Sequence, residues 1–368
     1  MKIAYLLGAL RPGGTETLLL DIFRNAKTAE YQFIGIHRKT GEHKEAFYAT
    51  GQKLYRLAPR FPFDPMYLYR LRKLIITNNI DIIHAQQTLD TFYGWLATVG
   101  LKIKVVQTFH GFDYFKKKSP FLSFMAKHTD KNLFVSNYQR NYYTKKYKLN
   151  PEKQQTVYNG IAFEKIDKWK ELTPLFEDDY KGLLTGSVGN FTDVRSQIII
   201  CRTLKLMAEK GVDFRFVFAG SRIDSQAYLY EECIDFCKKN NLLNTKVFFL
   251  GIRDDVPNIL KQLDVFIYST NHDSFGIAVI EAIAAGIPVF VNDWEVMLEI
   301  TENGKFATIF ETNNENDLCE KFLLFLHDTK SCENRVTENA ATIRQKFSIK
   351  QHINELGKQY ELMLNQKS

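Results

Sequence analysis

Short apolar runs alternate with stretches of helical spacing along the whole chain, and the alternation occurs twice. In the first half, residues 3–7, 33–36, 81–85, 104–109, 132–135 and 156–158 are short and apolar, the pattern of parallel strands buried on both faces. Between them, residues 15–26, 65–78, 89–99 and 138–147 carry apolar positions three and four apart, as amphipathic helices do. The second series has strands at 183–188, 214–219, 247–250, 265–268 and 288–291, with helices at 196–209, 226–239, 276–285 and 318–326. The break is the polar segment 168–181, with Pro174 and the acidic run Glu177-Asp178-Asp179, read as a linker. A strand–helix rhythm that restarts predicts an α/β chain of two doubly wound, Rossmann-like domains facing each other across a cleft. Ligands of such sheets bind at the carboxyl ends of the strands.

Bulk composition narrows the classes. The chain has 368 residues, 45% hydrophobic and 25% charged, which suits two folded domains and excludes disorder. Aromatics make up 14%, with 29 Phe, a supply for large cores and ring-lined clefts. The formal charge of +7 conceals an asymmetry: residues 1–170 carry 28 basic and 13 acidic side chains, and the remainder 21 and 29. The excess is densest between Lys102 and Lys153, including Lys116-Lys117-Lys118 and Lys145-Lys146-Tyr147-Lys148. Such a face is either simply solvated or a surface for anionic lipid or an anionic acceptor; no nucleic-acid motif accompanies it, so nucleic acid is not expected.

The five cysteines, Cys201, Cys233, Cys237, Cys319 and Cys332, are odd in number and loosely spaced, so neither a disulfide framework nor a zinc set is read. Reduced thiols in the cytoplasm are the expectation. The apolar opening is interrupted by Arg11 and Pro12 and reads as a first strand rather than a signal peptide. No run approaches the roughly 20 apolar residues of a membrane span, so membrane contact is expected to be peripheral, at the inner face of the plasma membrane.

Candidate chemistry falls at strand ends. The first loop, Gly8 to Glu16, holds Gly13-Gly14 just before a helix, where small residues and helix amides suit a phosphate, or where they make a plain tight turn. Gly14 stands where a nucleoside triphosphatase loop needs Lys, which excludes that motif. Glu16 lies in the first helical turn and can complement the helix dipole. His110 ends an apolar run and precedes Gly111-Phe112-Asp113, placed either to reach into a cleft or to serve as a satisfied structural histidine; His84 ends another run and is a weaker candidate of the same kind. The densest signal is the stretch from Tyr268 to Val289. There Asp273, Ser274, Phe275, Gly276 and Ile277 lead into an almost wholly apolar helix whose one charge is Glu281. An isolated carboxylate among Ile and Ala needs a partner, and ligand hydroxyls suit an acceptor-only group. Amides at that helix mouth favour a diphosphate; the plainer alternatives are an N-cap for Asp273 and an internal salt bridge for Glu281. Asn190 and Arg195 follow the second domain's first strand, while Arg222 and Arg253 each follow a strand and a Gly, in range of the same pocket or on the surface.

Taken together, these segments resemble the retaining glycosyltransferases of family 4, which have the GT-B fold. The resemblance runs from Gly13-Gly14-Thr15-Glu16 to Pro288 and is most specific at Asp273 and Glu281, two carboxylates with seven residues between them. It implies a domain at 1–167 for the acceptor, one at 168–348 for the donor, and a last helix, about 349–368, crossing back to the first. It further implies a nucleotide-diphosphate sugar as donor, a glycan or lipid-linked acceptor, and neither metal nor cofactor. Glu281 would hold the donor ribose and Asp273 the sugar hydroxyls, with backbone from Phe275, Gly276 and Ile277 offered to the donor. Ser274 would join them, and Gly13 and Gly14 would lie near the diphosphate. Asn190, Arg195, Arg222 and Arg253 are the remaining donor-side residues. His110 would act beside the reacting sugar, with Glu16 and Asp113 on the acceptor side. Two departures stand out: Asn190 occupies the family's usual Arg position, with Arg195 where Lys is expected, and the first carboxylate is Asp rather than Glu. The competing readings are a nucleotide-sugar epimerase of the same shape and a non-catalytic nucleotide-sugar-binding protein.

Overall fold

A computed structural model of the chain describes residues 1–365 apart from 12, 27–30, 62, 114–117, 171 and 179; at 329–335 and 337 it describes the helix but not the side chains. Pro12, Lys116, Lys117, Asp179 and the thiol of Cys332 therefore lie outside the description, as does the end of the predicted last helix. The chain forms two compact units, Met1–Ile161 with Phe347–Ser368, and Ala162–Lys346.

In the first unit, β1 (Lys2–Ala9) leads to α1 (Gly14–Asn25), β2 (Gln32–Lys39), α2 (Lys44–Tyr48), β3 (Lys53–Arg56) and α3 (Pro65–Thr77). Then come β4 (Ile82–Ala85), α4 (Thr88–Thr98), β5 (Lys104–Phe109), α5 (Pro120–His128), β6 (Lys131–Phe134), α6 (Asn137–Tyr147) and β7 (Gln154–Thr156). The seven strands form one parallel sheet in the order β3-β2-β1-β4-β5-β6-β7. Helix starts follow local chemistry. Asp64 caps α3 by accepting from the Met66 amide at 2.9 Å, with Pro65 as the first helical residue. Ser119 and Pro120 repeat the device at α5. The core on one face joins Leu6, Ile34, Leu71, Ile75, Ile83 and Tyr93.

The second unit holds α7 (Glu164–Asp167), β8 (Leu183–Val188), α8 (Gln197–Glu209), β9 (Phe214–Ala219), α9 (Ala227–Lys239), β10 (Val247–Gly251) and α10 (Val256–Leu260). It continues with β11 (Val265–Tyr268), α11 (Ile277–Ala284), β12 (Val289–Asn292), α12 (Glu295–Ile300), β13 (Thr308–Phe310), α13 (Glu315–His327) and α14 (Thr329–Phe347). Its parallel sheet runs β10-β9-β8-β11-β12-β13, so the strand order reverses between β8 and β11. Cys201, Cys233, Cys237 and Cys319 are buried in its core with Phe216, Phe218 and Phe322. They serve there as small packing groups.

Segment 168–181, expected as a linker, is tied along this unit instead. Asn258 exchanges hydrogen bonds with both backbone groups of Thr173 (3.1 and 3.0 Å), and Gln262 accepts from the Leu175 amide at 3.2 Å. Arg344 pairs with Asp167 at 2.8 Å and donates to the Ala284 carbonyl. The units divide between Ile161 and Ala162 rather than at 167/168, and the side chains of Asn258 and Gln262 hold the backbone at Thr173 and Leu175 against the second unit.

The last helix, α15 (Ile349–Asn365), belongs to the first unit. Ile161 and the segment around Ser348 exchange backbone hydrogen bonds of 2.8 and 3.0 Å. The Tyr360 hydroxyl bonds the Tyr5 hydroxyl at 2.9 Å and His84 Nδ1 at 2.6 Å, at the centre of the sheet. Among the described residues no helix is long and apolar enough to cross a membrane.

Candidate active site

The second unit assembles its predicted residues where its strand order reverses. Two loops meet there, one after β8 and one after β11, because these strands are neighbours in the sheet. The loops are zipped together: the Ser196 amide donates to the Ser269 carbonyl (3.1 Å), the Asn271 amide to the Val194 carbonyl (2.9 Å), and Thr270 Oγ1 to the same carbonyl (2.7 Å). This framework places Arg195 Nη1 2.9 Å from Asp273 Oδ2. The guanidinium also lies over the Tyr268 ring, 4.3 Å from its centroid, and the Tyr268 hydroxyl donates to Asp273 Oδ2. Burial lowers the pKa of Arg195 from its usual value, and Asp273 opposes that shift.

Asp273 organises its own loop. Oδ1 accepts from the Ser274 amide at 2.8 Å, its amide donates to Thr270 Oγ1 at 3.0 Å, and its carbonyl accepts from the Trp294 indole at 2.9 Å. Phe275 is buried and Ile277 half-buried. Gly276 precedes α11 with φ 84°, a left-handed conformation that disfavours a side chain, and a Cβ there would meet Met297 Cε at 2.7 Å. The N-cap of α11 is Gly276, which has no side chain to cap the helix. Val279, Ile280, Ala282 and Ile283 face the core, while Glu281 is half-buried on the other side of the helix and is not sealed in apolar packing.

The other donor-side candidates are engaged elsewhere. Asn190 Oδ1 accepts from the Ser221 amide at 2.9 Å, which ties the β8 loop to the β9 loop. Gly220 is needed in that contact, since a Cβ would sit 2.1 Å from the Gly189 carbonyl oxygen. Arg222, expected as a possible second cation, is exposed and held by Asp224 and Glu231, each at 2.8 Å. Arg253 forms a forked pair with Asp255, which pulls the Asp255 carboxyl down to about 2. Arg195 is the candidate cation that the fold brings to Asp273.

In the first unit, Gly13 and Gly14 open α1, and a Cβ on Gly14 would have no atom within 4 Å. A Cβ on Gly13 would lie 2.7 Å from Glu16 Oε2, so the Glu16 carboxylate is folded back over the helix mouth, as its dipole favours. His110 stands at the end of β5, with Nε2 2.6 Å from Gln86 Oε1. The carboxamide oxygen only accepts, so Nε2 carries the proton. Burial, followed by the field of His352, lowers His110 from 6.5 to about 4, so the ring is neutral at pH 7.

Two expectations change here. His84, expected as a second cleft histidine, is enclosed. Its ring nitrogens bond Tyr360 Oη and Thr108 Oγ1 at 2.6 and 2.7 Å, and burial takes it to about 3. Asp113, expected on the acceptor side, is buried against Lys146 at 2.9 Å and accepts from the Tyr147 hydroxyl, which anchors the β5 loop to α6. Tyr268, Trp294 and Gln86 were not singled out from the sequence. Tyr268 ends its strand beside a candidate loop, a signal that was available; Trp294 and Gln86 carry no local signal. Among the described residues no group of three or more His, Cys, Asp or Glu side chains is arranged to hold a metal ion.

Comparison with known proteins gives consistent results. The family model described as Glycosyltransferase Family 4 matches residues 12–165, and that described as Glycosyl transferases group 1 matches residues 173–342. An uncharacterized glycosyltransferase of Methanocaldococcus jannaschii is 26% identical over 301 residues, covering 80% of this chain and 79% of its own. The UDP-Gal:alpha-D-GlcNAc-diphosphoundecaprenol alpha-1,3-galactosyltransferase of Escherichia coli is 24% identical, covering 78% of each. The crystal structure of Anabaena HepE in complex with UDP superposes with a TM-score of 0.83 at 16% identity, over 98% of this chain and 100% of that one.

Proposed function

Because the chain belongs to the group 1 glycosyltransferases of GT-B fold, we propose that it is a retaining, metal-independent transferase. It moves a sugar from a nucleotide-diphosphate donor to a glycan or lipid-linked acceptor in surface polysaccharide assembly. The observation that carries this reading is the grouping of Arg195, Asp273 and the mouth of α11, with half-buried Glu281 on that helix, at the strand-order reversal of the second unit. The E. coli relative uses UDP-galactose and a diphosphoundecaprenol-linked acceptor, and HepE binds UDP, which supports a uridine donor and a lipid-linked acceptor.

In this reading the bond between the anomeric carbon and the diphosphate breaks, and negative charge grows on the leaving phosphate. Arg195 turns from Asp273 to that phosphate and, with the amides preceding α11, stabilises it. Asp273 and Glu281 accept hydroxyls of the sugar and the ribose. The acceptor oxygen bonds the anomeric carbon on the face the phosphate leaves, and its proton passes to a phosphate oxygen, so configuration is retained. His110, neutral and with Nε2–H held by Gln86, is the first unit's candidate for acting on the sugar. Gly14, with open space at its Cβ position, is the first unit's candidate for the diphosphate, and Ser274, Phe275, Gly276 and Ile277 present backbone to the donor. The reaction takes place in the cytoplasm, at the inner face of the membrane.

A thermal-shift panel of UDP-, GDP- and ADP-sugars, followed by transfer assays with the stabilising donor, tests this. A UDP-sugar that stabilises the chain and is turned over supports the reading. Tight binding without transfer to any glycan or lipid-linked acceptor would return the chain to the class of binding proteins, and epimerised donor without acceptor would make it an epimerase.

A further inference from the structure

A small cavity in the first unit is lined by polar side chains from four places in the chain. Gln86 follows β4, His110 follows β5, Asn159 follows β7, and His352 lies on α15. Aliphatic side chains of α1 and α15 close much of the remaining wall. The titratable groups that face it, Tyr5, His84, His110 and His352, are all neutral at pH 7, because burial lowers the three imidazoles and raises the phenol. Among the described residues no Asp, Glu, Lys or Arg lines it. The room it leaves for solvent is about 10 Å³, the space of one water molecule. Gln86 Nε2 and Asn159 Oδ1 are buried and have no hydrogen-bond partner among the described residues. Both side chains are more than nine-tenths buried. Polar groups left unsatisfied in the interior destabilise a fold, and a polar cavity of this size is where a bridging water sits.

One backbone group orders the protons around this cavity. The Tyr158 carbonyl only accepts, so His352 Nδ1, 2.6 Å away, carries the proton of its neutral ring and Nε2 is an acceptor. Gly160 permits that approach, since a Cβ there would lie 2.6 Å from His352 Cβ. A water shared by His352 Nε2 and Asn159 Oδ1 uses both its protons on them, so its third partner has to be a donor. The Gln86 amide group is that donor, which turns the Gln86 oxygen toward His110 Nε2, 2.6 Å away. We propose that Gln86, Asn159 and His352, joined through one buried water, are positioning residues that hold His110 as its Nε2–H tautomer, with the lone pair on Nδ1. A Gln86 carboxamide turned over would offer N–H to His110 Nε2 and move the ring proton to Nδ1. In the transferase reading, this relay decides whether Nδ1 of His110 accepts or donates. That consequence rests on the transferase reading; the order of the protons does not.

Long-range proton–nitrogen NMR spectra of the full chain with isotope-labelled histidine test the proposal, the His110→Ala variant assigning the signal among the 8 histidines. At pH 7 the Nε2–H form of His110 should exceed the Nδ1–H form at least about tenfold, the scale of leaving one buried group unsatisfied. Asn159→Leu and His352→Leu each give the water a spare proton that the Gln86 oxygen can take, so each should cut the ratio below about threefold. Gln86→Glu keeps the acceptor and adds a negative charge, so it should raise the His110 pKa from about 4 to roughly 6 in the same spectra. Far-ultraviolet circular dichroism shows which variants fold, and any one folded variant decides. A dominant Nδ1–H form in the wild-type chain overturns the proposal. So does an unchanged ratio in folded Asn159→Leu or His352→Leu, or an unchanged pKa in Gln86→Glu. Transfer is read separately: Asn159→Leu and His352→Leu should lower kcat about tenfold with donor KM unchanged. Normal transfer in His110→Ala counts against the transferase role of His110 alone and leaves the relay standing.

Discussion

The guanidinium of Arg195 and the carboxylate of Asp273, 78 residues apart in sequence, are held 2.9 Å from one another at the junction of β8 and β11. Each group thereby satisfies the other before any ligand arrives, and the Tyr268 ring and hydroxyl hold both in place. If the guanidinium transfers to the donor phosphate, Arg195→Ala should weaken UDP binding by roughly ten- to a hundredfold, the scale of a charge-assisted hydrogen bond. Asp273→Asn should keep UDP affinity within about threefold while lowering kcat. Calorimetric titration with UDP and steady-state transfer rates separate the two; unchanged UDP affinity in Arg195→Ala counts against its phosphate role.

Glu281 is half-buried on α11, so removing its charge leaves the core residues of that helix in place. Glu281→Gln should retain its melting temperature within about 3 °C and lose at least about a hundredfold in kcat/KM, equivalent to ~2.7 kcal/mol of transition-state binding. Near-normal turnover in a folded Glu281→Gln chain would remove it from the mechanism.

Arg222 and Arg253 are committed to acidic neighbours. Alanine at either position should change UDP affinity by less than about threefold, since surface pairs of this kind contribute little. A tenfold loss in either variant would show that the pair opens to take the donor.

Two glycines test space against strain. Gly276 has φ 84°, so Gly276→Ala should lower stability by roughly 1–2 kcal/mol in chemical denaturation. A methyl group on Gly14 would find no atom within 4 Å, so Gly14→Ala should leave stability unchanged. If the diphosphate passes close to Gly14, that same methyl should raise the donor KM; an unaltered KM places the donor elsewhere.

His84, His110 and His352 are moved by burial to about 3, 4 and 4, below the 6.5 of an exposed ring. Between those values and 6.5 the unfolded chain binds more protons than the folded one, so the stabilisation is complete above 6.5 and is lost as pH falls. Melting temperature should decline from about pH 7 to about pH 5, and His352→Gln should flatten the decline; an identical slope refutes its share. Transfer should show no inflection near 6.5 from His110, because its ring is already neutral there.

Much of the fold is legible in the sequence because buried parallel strands are continuous apolar runs. The runs at 183–188 and 214–219 have the bounds of β8 and β9. Part of what escapes lies where burial is partial. β3 is an edge strand, Lys-Leu-Tyr-Arg, without a buried residue, and β13 is a three-residue edge. α14 is mostly polar, with a thin apolar stripe of Val336, Ala340, Ile343 and Phe347, and β7 occupies Gln154–Thr156, beginning two residues before the apolar run at 156–158. In the candidate site, the loop from Asp273 to Ile277 is visible because Gly276 and the apolar helix after it break the surrounding pattern. The pairing of Asp273 with Arg195 is not, since it depends on which strands are neighbours.

Local pattern was therefore enough to establish two parallel α/β sheets, the ends of most strands, and the loops that carry ionisable groups, because burial and turn chemistry act over a few residues. Which of those groups meet was settled by the way the elements pack. Packing gave Arg195 to Asp273, confined Arg222 and Arg253 to local pairs, and enclosed His84 under Tyr360 from 276 residues along the chain. The reason is physical: hydrogen bonds and ion pairs form over about 3 Å, and separations of that kind between distant segments are set by strand order and helix packing, which no local pattern encodes.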